Sequence, residues 1–129
     1  MYHRPSESEK GWGMSGEDVN TALWDSLSPD LIGIQIEGRI AYINTAGARL
    51  LGASSDQLIG RPILDFVHPD CREIAAERMR QTVAQETEVL SSEEKWVRLD
   101  GVVINVRVAA TPLTYQGKPA VQFIAREIA

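Results

Sequence analysis

The sequence has few of the residue types on which nucleophilic and metal sites depend. Its 129 residues include one cysteine and two histidines, so an internal disulfide is excluded. Cys71 and His68 stand close together, but no third orienting group accompanies them, and a cysteine on an apolar helix face usually packs. The chain also has no glycine-rich phosphate loop, no metal-ligand spacing and no kinase or cyclase signature. We therefore expect a protein that is not an enzyme and has no metal site.

Basic charge and long apolar runs are also scarce. Lys and Arg total 13 against 18 Asp and Glu, and the basic residues are scattered, whereas nucleic-acid binding requires a basic patch. The apolar runs are far shorter than the ~20 residues that cross a bilayer, and no secretory signal pattern is present. We therefore expect a single-core cytoplasmic protein that binds neither nucleic acid nor a membrane.

What the sequence contains is a series of short elements with clear ends. Two β-type runs, residues 31–36 and 39–44, are joined at Gly38, and a glycine permits the positive φ of a tight turn. Asn44 then occupies the N-cap position of a short helix, and Gly52 stands where a C′ glycine belongs. This order predicts a β-hairpin followed directly by a helix.

Two more short helical segments precede one long helix. Ser54 and Gln57 form a capping-box pattern, and residues 62–67 form a third short piece that opens with proline. The segment Pro69–Gln85 is amphipathic, since apolar residues recur every three or four positions. The predicted apolar stripe comprises Cys71, Ile74, Ala75, Met79 and Val83.

The last third of the chain predicts three strands joined by two tight turns. Residues 95–99 turn at Gly101 into residues 102–111, and Gly117 leads into residues 119–128. Apolar and polar residues alternate along the second and third strands, so one face of each is expected to be buried. These apolar rows are Val102, Ile104, Val106, Val108 and Ala110, then Val121, Phe123 and Ala125.

The N-terminal region divides into a polar leader, residues 1–16, and a short helix within residues 17–29. A helix this short is not stable alone in water, so its apolar stripe must pack on something. Either it covers its own sheet or it pairs with the same helix of a second chain to form a homodimer. The dimer-interface candidates are Val19, Leu23, Trp24 and Leu27.

The order of elements, with the segments GRIAYINTAGARLLG, SSDQLIGRP, DFVHPD, RLDG and IAREIA, resembles the PAS domain family. The resemblance covers roughly Asp18 to the end of the chain and places the PAS domain itself at residues 30–129. It implies an α+β fold: a five-stranded antiparallel sheet with short helices and one long helix on one face. It also implies a regulatory sensor domain of a larger signalling protein. The covalently linked output domain would be a histidine kinase, a cyclic-di-nucleotide enzyme or a transcription regulator.

The resemblance further implies a small pocket between the helices and the sheet, open to a small-molecule ligand. The predicted lining residues are Ile34, Phe66, Ile74, Met79, Trp96, Val106 and Phe123. Arg78 either reaches an anionic ligand or extends toward solvent beside Glu77, and we expect the second. A ligand-free dimerisation scaffold with a filled core is the alternative.

A second alternative is a haem or flavin sensor for redox state or gas, although we expect no cofactor. Haem-binding relatives place a histidine in or near the long helix, so His68 is the candidate iron ligand. A flavin would stack on an indole, and Trp96 is the candidate. Photoadduct chemistry is not expected, because the segment GRPILDFVH contains no cysteine.

Overall fold

The computed structural model of the protein describes residues 28–85 and 89–128. The leader and the dimer-interface candidates Val19, Leu23, Trp24 and Leu27 lie outside these residues, so the N-terminal helix stays a prediction. In chain order the described elements are β1 (Leu31–Ile36), β2 (Arg39–Ile43), α1 (Thr45–Leu51), α2 (Ser55–Leu58), a 3-10 helix (Ile63–Phe66), α3 (Pro69–Gln85), β3 (Val89–Val97), β4 (Val103–Tyr115) and β5 (Lys118–Glu127).

The strands form one antiparallel sheet in the order β2-β1-β5-β4-β3. This confirms the predicted fold class. The two outer hairpins meet because β1 pairs with β5, for example Gly33 opposite Phe123. Among the described residues, no helix combines the length and apolar character needed to span a membrane.

Asn44 joins the first hairpin to α1. Its side-chain Oδ1 accepts the N–H groups of Gly47, at 2.9 Å, and Ile32, at 3.0 Å, while Nδ2 donates to the Asp30 carbonyl at 2.9 Å. The side chain is completely buried, so these bonds are made out of reach of water. Gly52 ends α1 with φ of 76°, a left-handed conformation that favours glycine. Both predicted ends of this helix are confirmed.

The strands are longer than predicted at two places. β3 begins at Val89 rather than at residue 95, and β4 continues to Tyr115 rather than residue 111. Four of the six additional β3 residues, at positions 91–94, are polar, and the segment is extended because it pairs with β4, as Ser92 does opposite Val108. Val102 is wrong as a member of the buried row, because it precedes β4 and is 52% exposed.

Helix α3 confirms the predicted apolar stripe only in part, since Cys71, Ala75 and Met79 pack on the core but the other two members do not. Ile74 and Val83 are exposed, at 53% and 42%, whereas Ala75 and Thr82 are buried. Positions 75, 78, 79 and 82 follow one face of a helix, and this face includes Arg78. The helix can turn this way because a polar group on the sheet receives the arginine.

The helix layer divides the interior into two regions. Helices α1 and α2 pack on β1 and β2, and α3 packs on β3, β4 and β5. The packed end, which we define as Leu31, Ile40, Ile43, Leu51 and Leu58, is at most 3% exposed at every position. The other region lies under α3 and holds a cavity.

Candidate functional site

A cavity of about 50 Å³ lies between α3 and the central strands. Its floor is largely apolar and includes Val108, Val121 and Phe123, and Met79 closes it from the helix. Two alanines, Ala75 on α3 and Ala110 on β4, line the same space. Space remains here because short side chains face each other across the helix–sheet interface.

Phe123 reaches the cavity because the strand beside it carries a glycine. A Cβ atom at Gly33 would lie 2.4 Å from Cζ of Phe123, which is closer than two carbon atoms can pack. The absence of a side chain at Gly33 therefore lets the phenyl ring lie over β1. The ring also meets Trp96 edge to face, with centroids 6.4 Å apart and planes at 70°.

A polar cluster, defined as Arg78, Ser92, Glu94 and Trp96, forms one wall. Arg78 Nη1 donates to Ser92 Oγ at 2.8 Å and to Glu94 Oε2 at 3.3 Å. Trp96 Nε1 donates to Glu94 Oε1 at 3.0 Å. The Glu94 side chain is 7% exposed and that of Arg78 is 35% exposed, so the cluster places a charge pair at the edge of the core.

The cluster corrects the expectation for Arg78, which lies toward the cavity instead of beside Glu77. Glu77 pairs with Arg80, and the hydrogen bond from Arg80 holds the pKa of the Glu77 carboxyl below its usual value. The two arginines differ because Arg80 lies on the exposed side of α3, whereas Arg78 lies one turn after Ala75 on the buried side.

Gln35 contributes a further polar group. The residue is 4% exposed and lines the cavity. Its Oε1 accepts the N–H of Gly38 at 2.6 Å, which ties the side chain to the β1–β2 turn. An N–H donor requires an oxygen, so this bond also fixes which end of the amide faces the turn.

The structure brings together three of the seven predicted lining residues: Met79, Trp96 and Phe123 line the cavity. Phe66 and Val106 are buried in the adjoining core but are absent from the lining. Ile74 is wrong as a lining residue, because it faces solvent. Ile34 is also wrong, because β1 directs its odd-numbered positions toward the helices and Ile34 to the opposite face of the sheet.

The sequence interpretation missed Gln35, Ser92 and Glu94 as cavity residues. A signal for two of them was present, because Ser92 and Glu94 precede Trp96 by four and two positions. In a strand these three side chains share one face. Because the predicted strand began at residue 95, the alternation of inward and outward side chains was not extended back to positions 92 and 94.

His68 and Cys71 serve the start of α3. His68 Nδ1 accepts the N–H of Asp70 at 3.1 Å, which makes the imidazole an N-cap. The Nδ1–Asp70 carboxylate distance is 3.7 Å, and we favour the shorter contact, in which Nδ1 is an acceptor. Cys71 Sγ accepts the N–H of Lys95 at 3.5 Å. Neither residue is among the described residues that line the cavity, so this pair does not face it.

Haem and flavin do not fit the cavity as it stands. Sites for ligands of that size occupy ~300 Å³ or more, several times the volume found here. His68 is the predicted iron ligand, yet it lies outside the lining. Within residues 28–85 and 89–128, no group of three or more His, Cys, Asp and Glu side chains is arranged to hold a metal ion.

Comparison with known proteins yields matches over most of the chain. The PAS fold family model matches residues 21–128. Sporulation kinase A of Bacillus subtilis strain 168 is 32% identical over 93 residues, which cover 71% of this chain and 15% of that protein. The C4-dicarboxylate transport sensor protein DctS of Rhodobacter capsulatus is 31% identical over 97 residues, 74% of this chain and 15% of that protein.

Solved structures show the same fold. The PAS domain of a Colwellia psychrerythraea protein superposes with a TM-score of 0.73 at 21% identity, covering 84% of this chain and 92% of that one. The curated relatives are much longer than the matched region, since the chain spans about 15% of their length.

Proposed function

The chain belongs to the PAS family, and we propose that it is the ligand-binding sensor domain of a larger signalling protein of the kinase type, with no catalytic step of its own. The relatedness to a sporulation kinase and to a transport sensor protein supports the signalling context. In those relatives the matched region is a small part of a long chain, which supports an output domain covalently linked to this one.

The observation that carries the proposal is the cavity with its polar cluster. The cavity separates α3 from the sheet, while the contacts of Arg78 with Ser92 and Glu94 tie α3 to β3. A ligand that enters here touches both layers at once. It therefore has the means to favour one position of the helix over another, which is the requirement for a population shift.

A population shift of this kind requires that the ligand bind one state of the domain more tightly than the other. A complete switch between two states needs a difference in ligand affinity of roughly 5.5 kcal/mol, and a smaller difference produces a graded response. Strand β5 pairs with both β1 and β4 and reaches Glu127. A shift of α3 against the sheet is thus conveyed to the end of the domain through a single strand.

Dimerisation is a separate part of the proposal. Val19, Leu23, Trp24 and Leu27 form an apolar stripe in the sequence, and we expect it to pair with a second copy. A ligand-free dimerisation scaffold would use this stripe alone. The sensor and the scaffold differ in one respect, which is whether the cavity binds anything.

The test screens the full chain against a library of small molecules, with melting temperature and ¹H–¹⁵N chemical shifts as readouts. Binding compounds should shift resonances around the cavity. Ala110→Val places two methyl groups in the cavity and should abolish these shifts, whereas the control Ala109→Val, on the opposite face of β4, should retain them.

Three outcomes contradict the proposal. If no compound binds and light scattering shows a dimer, the scaffold is favoured. If compounds bind equally to Ala110→Val, the ligand site lies elsewhere. A Soret or flavin band in the visible spectrum of the purified protein would establish the cofactor alternative.

A further inference from the structure

Two hydrogen-bond donors at the cavity lack acceptors among the residues that the structure describes. The first is the amide nitrogen of Gln35. Because Oε1 receives the Gly38 N–H, Nε2 is left to donate, and it makes no hydrogen bond with another described residue. Gln35 is 96% buried, since 4% of it is exposed. A buried amide of this kind normally has a partner.

The second donor is the guanidinium of Arg78. A single nitrogen, Nη1, makes both of its contacts, with Ser92 and Glu94. Nε and Nη2 have no acceptor within residues 28–85 and 89–128, although a guanidinium has five N–H groups to place. Arg78 and Gln35 both line the cavity, so their unpartnered N–H groups belong to side chains that border the same space.

Each acceptor atom of the wall already receives a hydrogen bond from within the cluster. Glu94 receives Trp96 on Oε1 and Arg78 on Oε2, and Ser92 Oγ receives Arg78. What remains without a partner among the described residues is a set of N–H donors, with apolar surface from Val108, Val121 and Phe123 beside it. The complementary molecule offers an oxygen that accepts two hydrogen bonds and an apolar remainder.

We propose that the cavity binds a small uncharged molecule through a carbonyl-type oxygen, which accepts from Gln35 Nε2 and from the Arg78 guanidinium. This inference rests on the proposed sensor function and specifies the class of its ligand. The volume of about 50 Å³ holds roughly three or four non-hydrogen atoms, since each water-sized body needs ~10–15 Å³.

The charge of the ligand follows from the charge already present. Glu94 balances Arg78 at 3.3 Å, so an anionic ligand would leave a second, uncompensated negative charge in a mostly apolar space. A cation would leave an uncompensated positive charge in the same space and would give the unpartnered N–H groups no acceptor. An uncharged ligand with an acceptor oxygen adds no unpaired charge and provides a partner for the N–H donors.

The experiment compares four molecules of nearly equal shape: acetone, acetamide, acetate and acetamidinium. Each is titrated into the full chain, and dissociation constants are taken from ¹H–¹⁵N shifts, including the side-chain signals of Gln35 and Arg78. Acetone and acetamide should bind about tenfold or more tightly than either ion, the difference expected from one unmade hydrogen bond or one unpaired charge.

Substitutions at Gln35 test whether its side-chain amide donates a hydrogen bond to the ligand. Gln35→Met removes the amide and should weaken acetone binding about tenfold, whereas Gln81→Met, on an exposed part of α3, should leave it unchanged. Gln35→Glu keeps an acceptor for Gly38 and removes the donor, so it should weaken acetone binding as well. The wild-type titrations do not depend on whether either variant folds.

A titration with xenon, a small apolar atom, tests whether the cavity is accessible at all. Its result therefore distinguishes failure of this inference from failure of the proposed function. Preference for acetate or acetamidinium overturns the inference and leaves a sensor with a charged ligand. Xenon binding without acetone or acetamide binding also overturns it, because the cavity then accepts apolar atoms only. If neither xenon nor any of the four molecules binds, the cavity is not accessible, and the proposed function fails together with the inference.

Discussion

The two regions of the interior, the packed end and the region under α3, differ in the side chains that fill them. At the packed end, Leu51 and Leu58 are fully buried and belong to the cluster of apolar side chains contributed by the helices and strands around them. Under α3, two alanines and a charge pair stand among the larger apolar side chains, and space is left over. One sheet therefore carries a region that holds the fold together and a region able to admit a ligand.

This difference shows where the stability of the domain should reside. In a closely packed region every buried methylene group makes stabilising van der Waals contacts. A region that is incompletely filled makes fewer of these contacts per residue. We expect the packed end to tolerate little change and the cavity end to tolerate more. The following experiments test this contrast, beginning with the largest expected effect.

Truncation of a buried leucine is expected to produce the largest loss. Leu51→Ala should lower the free energy of unfolding by about 3 kcal/mol, because Leu51 is fully buried and its neighbours cannot close the space. Met79→Ala, at a half-buried residue beside an existing cavity, should cost about 1 kcal/mol. Urea denaturation measures both, and equal losses would show that the two regions do not differ in packing.

Removal of one partner of the charge pair comes next. Arg78→Met leaves the buried Glu94 carboxylate without its cation and should lower the free energy of unfolding by about 2 kcal/mol. In the double variant Arg78→Met/Glu94→Gln the carboxylate charge is absent and Trp96 Nε1 keeps an acceptor. About half of the lost unfolding free energy should therefore be recovered. The control Arg80→Met changes an exposed pair and should have little effect.

If Arg78→Met proves as mild as the control, the pair contributes nothing to stability. Such a result would also weaken the connection between α3 and β3 on which the sensor mechanism depends. Chemical denaturation of the wild type, Arg78→Met, Glu94→Gln and the double variant in parallel provides the double-mutant cycle.

Enlargement of an alanine should act in opposite directions in the two regions. Ala48→Val adds two methyl groups in the filled core beneath α1 and should cost about 1 kcal/mol through overpacking. Ala110→Val directs the same groups into the cavity and should raise the free energy of unfolding by up to about 1 kcal/mol. Thermal melting of both proteins is sufficient, and a destabilised Ala110→Val would mean that the cavity is not available to a side chain.

The smallest effect is expected at an exposed charge outside both regions. Asp100 accepts the N–H of Val102 at 3.1 Å and hydrogen bonds from Arg98. The Val102 N–H, followed by Arg98, holds the pKa of the Asp100 carboxyl below its usual value near 3.8. Its stabilising effect is therefore complete above the unfolded-state pKa and disappears as the pH falls through the lower folded-state pKa.

Asp100→Asn should accordingly lower the melting temperature slightly at neutral pH, and the two melting curves should converge in strong acid. Melting from pH 7 down to about pH 2 measures this. A difference that persists unchanged at the acid end would show that the carboxylate charge is not responsible.

Local signals in the sequence were sufficient for the framework. Asn44, Gly52, the Ser54–Gln57 capping box and the glycine turns mark the ends of elements through contacts within a few residues. The order of the elements then identified the family, and with it the pairing of β1 with β5 that no local pattern indicated. The ladder partners decided the true length of β3 and β4, because backbone pairing extends a strand through residues of any type.

The cavity, by contrast, depended on contacts between distant parts of the chain. The apolar stripe of α3 pointed to Ile74, yet the helix turns Arg78 toward the sheet instead, because Glu94 and Ser92 contact it from a strand 14 to 16 residues away. Ile34 was assigned to the cavity from its apolar character, and only the register of β1 on β5 showed that Gly33 and Gln35 hold the inward positions. Sequence alone determined which elements form, since their ends are set by neighbouring residues. Tertiary structure decided which side chains share a space, since that depends on the rotation of a helix and the register of a strand.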